Sequence, residues 1–485
     1  MRSTIGIVVL IVVLVGSAVG YAIYRNDQIH HISVANIDPK TGSIENILLI
    51  GSTSRCALNS KQGGAFGLCS NGVTGVNSDV VMVLRLNGFT HRVSVLSFPR
   101  DTFLPNARPG ETNRIDSALY VGPGQLVKVI EDDFGIPINH FVELNFDTFQ
   151  SIVKSLNGIQ MYFPNEVKDP DSGLKVLQTG CVRIGAFQAL AVVRARHMSY
   201  LEGNVWQYDP TGDIGRIIRD HEFLRVLAGA VAKRGIGNPL TDNALIGDLA
   251  PDLTVDNGFS LSEMVSLLLA YRGVSPGSVP ETTLPVVEDP NAYYYKGYNY
   301  GDVVFPVQPQ DQDAVAAFLG GSVPGTRLPA RGVSVSIIGG TGNPSATTTV
   351  AAGLSSVGFK VTGTTEHAPV GPIAETQVLY AGPATLRQAE RVAASLIGPV
   401  AVGVGAPIDG AQVTVVTGTN LRVRHARSSS TGASGVATTS ADASVPIPAT
   451  LSAAGFSSTS VLSPPIASSV PLPPYDPRAC PARSR

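Results

Sequence analysis

The sequence predicts an α/β protein with two folded units. The chain has 485 residues, more than one ordinary domain holds, so two units and further non-globular segments are expected. Short apolar runs typical of buried strands alternate with helix-like stretches across residues 44–319. A second stretch, 332–421, follows the order βαββαβ. The net charge of -2 argues against a general nucleic-acid binder, which usually carries a basic excess.

The N-terminal segment, residues 1–27, predicts a membrane anchor. Residues 4–24 carry no charge and are long enough to cross a bilayer, which needs about 20 residues. Arg2 lies before this run and favours a cytoplasmic N-terminus. A cleaved signal peptide is the alternative, although its apolar region is normally only about 7–15 residues long. The sequence therefore predicts a single-pass protein of the cell membrane whose main domains are extracytoplasmic.

The first folded unit is predicted to span residues 40–320. It opens with a buried strand at 47–51, ILLIG. Two further strand-like runs, VVMVLRL at 80–86 and RVSVLSF at 92–98, flank an Asn-Gly pair and predict a β-hairpin.

In this antiparallel hairpin the start of the first strand lies beside the end of the second strand. Asp79, before the first strand, should therefore be a neighbour of the turn formed by Pro99, Arg100 and Asp101, after the second strand. A carboxylate beside an Arg-Asp turn is typical either of the edge of a functional site or of a surface salt bridge. The sequence leaves both interpretations open at this point.

Two short segments farther along the chain concentrate arginines. Arg194 and Arg196 follow a predicted helix, 185–193, and share one side of the chain if it is extended there. Arg216 and Arg219 lie three residues apart, on one face of the first turns of a long predicted helix, 212–234.

Arginines at the start of a helix favour a bound anion. The free N–H groups and the positive dipole end already favour negative charge there. The planar guanidinium fork fits phosphate oxygens two at a time, so several arginines indicate a pyrophosphate rather than a single carboxylate. The alternative is a set of solvated arginines that pair with Asp213 and Asp220.

The second unit is expected to follow a Gly- and Pro-rich linker at 321–331. It contains no cluster of His, Cys, Asp or Glu, so a binding or spacer role is expected for it. Its predicted strands are 333–338, 359–364, 377–380 and 411–416, its predicted helices are 344–357 and 384–397, and an ambiguous apolar run precedes the last strand. The tail, 422–485, is rich in Ser, Thr, Ala and Pro and is predicted to be disordered.

Four cysteines bear on the compartment. Cys56 and Cys69 flank a Gly/Asn-rich loop and are candidates for a disulfide in an oxidising environment, with two unpaired thiols as the alternative. The pairing of Cys181 and Cys480 stays open. No CxxC motif occurs, which argues against a zinc site built from paired cysteines.

Together these segments resemble the LytR–CpsA–Psr family, membrane-anchored phosphotransferases of Gram-positive and actinobacterial envelopes. The matching segments are, in chain order, NILLIGSTSR (46–55), NSDVVMVLRL (77–86), SVLSFPRDTFLP (94–105), NRIDSALYVGPG (113–124), LQTGCVRIGAFQALAVVRARH (177–197) and DIGRIIRDHEFL (213–224). The second unit resembles the LytR C-terminal domain that is often appended in actinobacteria.

The resemblance implies an α/β sandwich that encloses a long apolar pocket for a lipid. It implies transfer of a glycopolymer from a polyprenyl-pyrophosphate carrier onto peptidoglycan through a phosphodiester, with arabinogalactan as the usual actinobacterial cargo. The catalytic and pyrophosphate-binding arginines that it implies are Arg100, Arg194, Arg196, Arg216 and Arg219. Asp101 would orient its arginine neighbours, and Asp79 would be one ligand of Mg²⁺ or Mn²⁺.

Two motifs depart from the family pattern. Thr53 stands where the first metal-binding aspartate is expected, and a hydroxyl is a weaker magnesium ligand than a carboxylate. This change weakens metal binding, leaves Asp79 to hold the ion largely alone, or marks a member with altered activity. Asp220 and His221 replace the usual residues after Arg219. The alternative function is therefore a catalytically weakened homologue that binds lipid-linked polymer or cell wall as a scaffold.

Overall fold

The computed structural model describes residues 26–40, 42–52, 76–234, 253–275, 278–288, 292–321, 328–341, 343–366, 373, 375–424 and 472–481. Residues 1–25 of the predicted anchor lie outside these ranges, as do Thr53, Cys56 and Cys69. None of the helices in the described ranges has both the length and the apolar character that a bilayer crossing requires.

Short strands and helices alternate along the described chain. The strands are β1 (His30–Ile32), β2 (Ile44–Ser52), β3 (Ser78–Asn87), β4 (Arg92–Phe98), β5 (Phe103–Arg108), β6 (Glu111–Arg114), β7 (His140–Leu144), β8 (Ile159–Phe163), β9 (Val167–Asp169), β10 (Leu174–Val176), β11 (Gly180–Ile184), β12 (Ser199–Glu202), β13 (Val205–Tyr208), β14 (Thr254–Asp256), β15 (Glu281–Thr283), β16 (Val286–Glu288), β17 (Tyr293–Tyr295), β18 (Tyr298–Gly301), β19 (Val304–Gln308), β20 (Ser334–Ile338), β21 (Lys360–Thr365), β22 (Thr376–Tyr380), β23 (Leu396–Val404), β24 (Val413–Val416), β25 (Arg422–Val423) and β26 (Arg478–Ala479). The α-helices are α1 (Ala118–Val121), α2 (Pro123–Phe134), α3 (Phe146–Ser155), α4 (Ala186–Arg194), α5 (Gly212–Arg234), α6 (Leu261–Tyr271), α7 (Gln310–Leu319), α8 (Pro344–Val357) and α9 (Leu386–Ala393).

A seven-stranded mixed sheet in the order β1-β14-β7-β2-β3-β4-β15 forms the centre of the first unit. Strand β2 alternates its side chains between two apolar layers. Leu48 and Ile50 are fully buried in the core that includes Leu126 and Ile130 of α2. Ile47 belongs to a separate core on which α6 packs. Because helices cover both faces of the sheet, the α/β fold class predicted from the sequence is confirmed.

The predicted β-hairpin is confirmed, with β3 and β4 antiparallel and Asn87 opposite Arg92. Its connection is longer than the two-residue turn that Asn-Gly favours. The Asn87 side-chain oxygen accepts the backbone N–H groups of Phe89 and Thr90, each at 3.1 Å, and so closes an Asx-type loop.

The second unit keeps most of the predicted pattern, and α8 has the predicted bounds. The helix predicted at 384–397 is shorter, because α9 ends at Ala393 and the ambiguous apolar run forms β23. That run contains Gly398 and Pro399, neither of which favours a helix interior.

The sheet of the second unit continues into the first. Strand β19 pairs antiparallel with β23, and β16 extends the same sheet, which runs β16-β19-β23-β22-β24-β20-β21. The Tyr293 hydroxyl also donates to Glu375 across this junction at 2.7 Å. The predicted linker at 321–331 therefore does not separate two sheets, because strands that precede it in the chain complete the sheet that follows it.

The last described segment, residues 472–481, differs from the predicted disordered tail, whereas residues 425–471 of that tail lie outside the described residues. Residues 472–481 return to the first unit, where β26 pairs with β8 and Cys480 forms a disulfide with Cys181. The Tyr475 ring stacks on Tyr200 with 4.0 Å between the ring centres. The prediction rested on the Ser-, Thr-, Ala- and Pro-rich composition of the whole tail and therefore missed the short segment LPPYDPRACP. Its cysteine forms the disulfide, and its tyrosine stacks on Tyr200.

Candidate functional site

A largely apolar cavity lies between the central sheet and helices α3, α4 and α5. Its empty volume is about 650 Å³, a figure that includes space open to solvent. Phe146 and Phe149 of α3, Leu190 of α4 and Phe223 of α5 contribute to its apolar wall, opposite Leu49 of β2. The polar side chains of the lining are Ser52, Asp79, Asn145, Arg194, Arg216 and Asp220.

The start of β3 and the turn after β4 lie next to the polar residues of the cavity. Arg100 forms an ion pair with Asp79, which confirms the predicted contact between the start of β3 and the turn after β4. The Nε atom of Arg100 also donates to Asp101 Oδ2 at 3.4 Å.

The Asp101 carboxylate lies among arginines from three segments. Its Oδ2 accepts from Arg196 Nη2 at 3.2 Å as well as from Arg100, and its Oδ1 lies 3.4 Å from Arg114 Nη1. Asp101 is only 5% exposed, so these charges interact in a partly desolvated environment. Asp101 thus contacts two of the arginines that it was expected to orient.

Arg114 and Asp116 belong to this group, although the sequence reasoning did not identify them. Arg114 Nε lies 3.8 Å from Asp116 Oδ1. Burial raises the pKa of Asp116 to about 6, and the charge of Arg114 only partly offsets that effect. Both residues fall in the family-like segment NRIDSALYVGPG, which was the one signal available for them.

Two further arginines line the cavity itself. Arg216, on α5, is buried and donates from Nη1 to the backbone oxygen of Asp79 at 2.7 Å. Arg194 ends α4, and its guanidinium carbon lies 4.8 Å from the centre of the Phe146 ring, a cation–π distance. The structure therefore brings Arg100 and Arg216 to Asp79, and Arg100 and Arg196 to the adjoining Asp101. Arg194 lines the same cavity.

Arg219 lies apart from the cavity lining. Its side chain is fully buried, and Nη1 donates to Asp209 at 2.8 Å and to Asp476 of the returning tail at 3.1 Å. Its Nη2 donates to the backbone oxygen of Ala195 at 2.6 Å. Residues three apart on a helix differ by about 60° in direction, so Arg216 and Arg219 reach different neighbours from adjoining faces.

The contact with Ala195 links Arg219 to the other arginine segment. Ala195 is the residue between Arg194 and Arg196, and the chain becomes extended only there, after α4 has ended. The direction of the Arg194 side chain is therefore set by the end of helix α4, and that of Arg196 is set by the extended segment that follows. Arg219 stabilises the peptide from which both side chains diverge.

The two carboxylates around Arg219 differ in their pKa. Burial raises the pKa of Asp476 to about 6 and outweighs the opposing charge of Arg219. Burial acts in the same direction on Asp209, but hydrogen bonds from Thr211 and the charge of Arg219 lower its pKa below the ordinary value. Asp209 is thus the stronger counter-ion of the pair.

The residues that depart from the family pattern occupy two separate environments. Asp220 lines the cavity, with its Oδ2 at 4.0 Å from Arg216 Nη1. His221 instead points to β4, where its Nε2 lies 2.5 Å from the Ser97 hydroxyl oxygen. Burial, together with the nearby charge of Arg225, lowers the pKa of His221 to about 4.

The cavity lining also offers oxygen ligands for a hard cation. Asp79 and Asp220 present carboxylates, and Ser52 presents a hydroxyl. The Ser52 Oγ is buried without a hydrogen-bond partner among the described residues. Magnesium favours one or two carboxylates together with phosphate oxygens and water, so this donor set fits such an ion.

Comparison with known proteins identifies the family of this chain. Residues 11–303 match the LytR_cpsA_psr family, which is more than half of the 485-residue chain. The chain belongs to the LytR–CpsA–Psr family. Residues 332–420 match a second family, described as LytR cell envelope-related transcriptional attenuator.

Relatives of this LytR–CpsA–Psr protein carry names that refer to cell-wall biosynthesis and to peptidoglycan. The probable cell wall biosynthesis protein LcpB of Corynebacterium glutamicum is 28% identical over 261 residues, covering 53% of this chain and 57% of LcpB. The polyisoprenyl-teichoic acid–peptidoglycan teichoic acid transferase TagU of Bacillus anthracis is 27% identical over 192 residues, covering 38% of this chain and 58% of TagU. The chain thus spans somewhat more than half the length of these relatives.

A solved structure is also similar to this LytR–CpsA–Psr chain. The LytR-Csp2A-Psr enzyme from Actinomyces oris is 23% identical, with a TM-score of 0.44, and the match covers 53% of this chain and 87% of that one.

Replacement of Asp476 by alanine tests whether the tail supports Arg219. We expect Asp476→Ala to lower the free energy of unfolding by about 1–3 kcal/mol, because a buried guanidinium loses one of its acceptors. Thermal unfolding of the full chain measures this change, and Asp302→Ala, at an exposed aspartate, is the matched control. Equal unfolding midpoints for Asp476→Ala and wild type would show that the tail contact does not stabilise the fold.

His221 makes stability depend on pH. The unfolded chain binds a proton at His221 near pH 6.5, whereas the folded protein binds it only near pH 4. Stability should therefore fall as pH falls from 6.5 to 4, with a contribution of up to about 1.4 kcal/mol per pH unit from this residue. We expect His221→Asn to flatten the slope of the unfolding midpoint against pH in this window. His197→Asn, at an exposed histidine, should keep the wild-type slope, and an unchanged slope in His221→Asn contradicts the assignment.

Proposed function

We propose that the protein is a phosphotransferase that moves a glycopolymer from a polyprenyl-pyrophosphate carrier onto peptidoglycan. The single observation that carries the proposal is the apolar cavity whose polar lining contains Asp79, Arg194 and Arg216. An apolar wall suits a polyprenyl chain, and guanidinium groups beside it suit the pyrophosphate to which that chain is joined.

The arginines carry out most of the chemistry available to this site. Phosphoryl transfer asks a protein mainly to position the reactants and to stabilise charge on the phosphate oxygens. Arg194 and Arg216 meet the phosphates from the cavity lining, and Arg100 and Arg196 adjoin them through Asp79 and Asp101. Their orientation before substrate binds lowers the cost of reorganisation during the reaction.

In the proposed reaction, a hydroxyl oxygen of peptidoglycan forms a bond to the phosphorus that is linked to the sugar of the glycopolymer. The bond between that phosphorus and the bridging oxygen breaks, polyprenyl phosphate leaves with the bridging oxygen, and the hydroxyl proton is released to solvent. Mg²⁺, or Mn²⁺, held by Asp79 and Asp220, would neutralise part of the phosphate charge when bound. The product is a phosphodiester between the glycopolymer and peptidoglycan.

The names of the relatives support the partners and the location in this proposal. LcpB is named for cell wall biosynthesis, and TagU for transfer of polyisoprenyl-linked teichoic acid to peptidoglycan. We propose a lipid-linked glycopolymer as donor, arabinogalactan as the cargo and peptidoglycan as acceptor. The predicted anchor at residues 1–27 would hold the catalytic unit at the outer face of the cell membrane.

A catalytically weakened scaffold is the second candidate function. Thr53 in place of a carboxylate favours it, as does Asp220, because an anion in the lining competes with phosphate for Arg216. Such a protein would bind lipid-linked polymer in the cavity without turnover.

Arg100 provides the direct test of the enzyme proposal. Release of polyprenyl phosphate from a synthetic polyprenyl-pyrophosphate-linked glycan should fall by at least about 100-fold in Arg100→Ala, because a charged group at the phosphate is lost. The full chain in detergent is assayed with Mg²⁺. Arg92→Ala, at the exposed start of the same β4 strand, should keep wild-type activity. Lipid binding by the wild type without any release favours the scaffold.

Thr53 tests the departure from the family pattern. We expect Thr53→Asp to raise Mg²⁺-dependent release by about tenfold, because a carboxylate ligand is added to the cation site. Thr53→Asn, which adds no charge, is the control. The measurement is initial rate against Mg²⁺ concentration. Equal rates for Thr53→Asp and wild type would show that the site works without that ligand.

A further inference from the structure

We propose that Glu45, His140 and Glu263 form a binding site for a divalent transition-metal ion of the Zn²⁺ class. These residues do not line the cavity described above. Their ligand atoms, one nitrogen and two carboxylate oxygens, all lie within 4.8 Å of one another.

Three elements bring these side chains together. Glu45 is the second residue of β2, His140 is the first residue of β7, and Glu263 lies in the first turn of α6. In the parallel pairing of β2 and β7, Ile47 lies opposite His140. Glu45 is two residues before Ile47 and thus shares its face of the sheet, which is the face on which α6 packs.

Two polar atoms of this cluster make no hydrogen bond. His140 Nε2 and Glu45 Oε2 are both buried without a hydrogen bond in the described part of the chain. His140 is 7% exposed and Glu45 is 4% exposed, so water does not easily satisfy them. A buried polar group that lacks a hydrogen bond costs about 1–3 kcal/mol, which an ion at this point would offset.

The spacing suits an ion better than a direct hydrogen bond. His140 Nε2 and Glu263 Oε1 are 3.8 Å apart, too far for a hydrogen bond. Two atoms that each ligate Zn²⁺ at about 2.0–2.2 Å in a tetrahedral site lie about 3.3–3.6 Å apart, so a small approach of the two side chains would place one ion between them.

The far side of the imidazole is fixed as metal-ligating histidines usually are. His140 Nδ1 lies 3.2 Å from Asp256 Oδ2, and the ring stacks on Phe259 with 4.2 Å between centres. The same Asp256 oxygen also accepts the backbone N–H of Phe141 at 2.9 Å. Because this oxygen acts as an acceptor, the proton of its contact with the imidazole lies on Nδ1. With that proton on Nδ1, Nε2 carries the free lone pair and can ligate an ion that the two glutamates also hold, a carboxylate–histidine–metal arrangement.

The ligand set indicates which cation binds. Mg²⁺ and Ca²⁺ favour oxygen ligands alone, whereas an imidazole with carboxylates is typical of Zn²⁺ and related ions. Lys40 already pairs with Glu45 and is 42% exposed, so its ammonium can leave for solvent when an ion arrives. Lys40 therefore acts as a competitor for the same carboxylate.

A second His-containing cluster, formed by Asp169, Asp171 and His197, offers a comparison. Asp169 Oδ2 already accepts backbone N–H groups from Arg196 and His197, at 3.0 and 3.1 Å. The side chains of Asp171 and His197 are 74% and 57% exposed. Its ligands are thus satisfied or solvated, which makes it the control site.

The effect of the ion would be to join α6 to the central sheet. Glu45 and His140 belong to adjacent strands, and Glu263 is the α6 residue that reaches them. Bound Zn²⁺ should raise the thermal midpoint of the full chain, since a ligand that binds only the folded state stabilises it.

The test is calorimetric titration of ZnCl₂ into the full chain in detergent after chelator treatment. One saturable site is expected in the wild type, and Glu263→Gln and His140→Gln should each weaken it by at least about tenfold. Lys40→Ala should tighten binding, because the competing ammonium is removed. The zinc-dependent rise in thermal midpoint should be lost in Glu263→Gln.

Matched variants keep the assignment specific. Glu143→Gln, whose side chain is on the opposite face of β7 from His140, should bind zinc like the wild type. His197→Ala and Arg100→Ala should also bind normally, which separates this site from the second cluster and from the proposed phosphotransfer. The proposal is overturned if the wild type binds no zinc, if Glu263→Gln binds as tightly as the wild type, or if His197→Ala removes binding.

Discussion

The carboxylate of Asp101 is the group on which the arrangement of the arginines depends. It lies between Arg100, Arg114 and Arg196, which come from a turn, a strand and the segment after α4. Three cations at such distances would repel one another without an anion among them, and loss of one partner from a buried ion pair is costly.

The second unit depends on the first for part of its sheet and for its end. Strand β19 extends the C-terminal sheet through β23, and Tyr293 donates to Glu375 across the junction. After that sheet ends, the chain returns to the first unit, where Asp476 meets Arg219. A segment remote in sequence thereby supports the peptide between Arg194 and Arg196. The position of the arginines therefore depends on contacts of the chain beyond the first unit, even though separate families match the two units.

Local patterns could be predicted from the sequence, and contacts between distant segments could not. The bounds of α5 and α8 follow from helical periodicity, and the neighbourhood of Asp79 and Arg100 follows from hairpin geometry. The separation of Arg216 from Arg219 depends on which elements lie beside α5, and spacing along one helix does not contain that information. The cavity wall, the extension of the second sheet and the histidine of the proposed zinc site likewise arise only when strands far apart in sequence become neighbours.

The disulfide between Cys181 and Cys480 gives the chain a particular covalent topology. Residues 181–480 form a closed ring, with a sequence separation of 299 between the two cysteines. The ring contains α4, α5 and the whole second unit. A single backbone cleavage anywhere within it opens the ring without releasing a fragment, so the pieces separate only after reduction. The protein would therefore keep its mass on a non-reducing gel after a nick that divides it into two bands on a reducing gel.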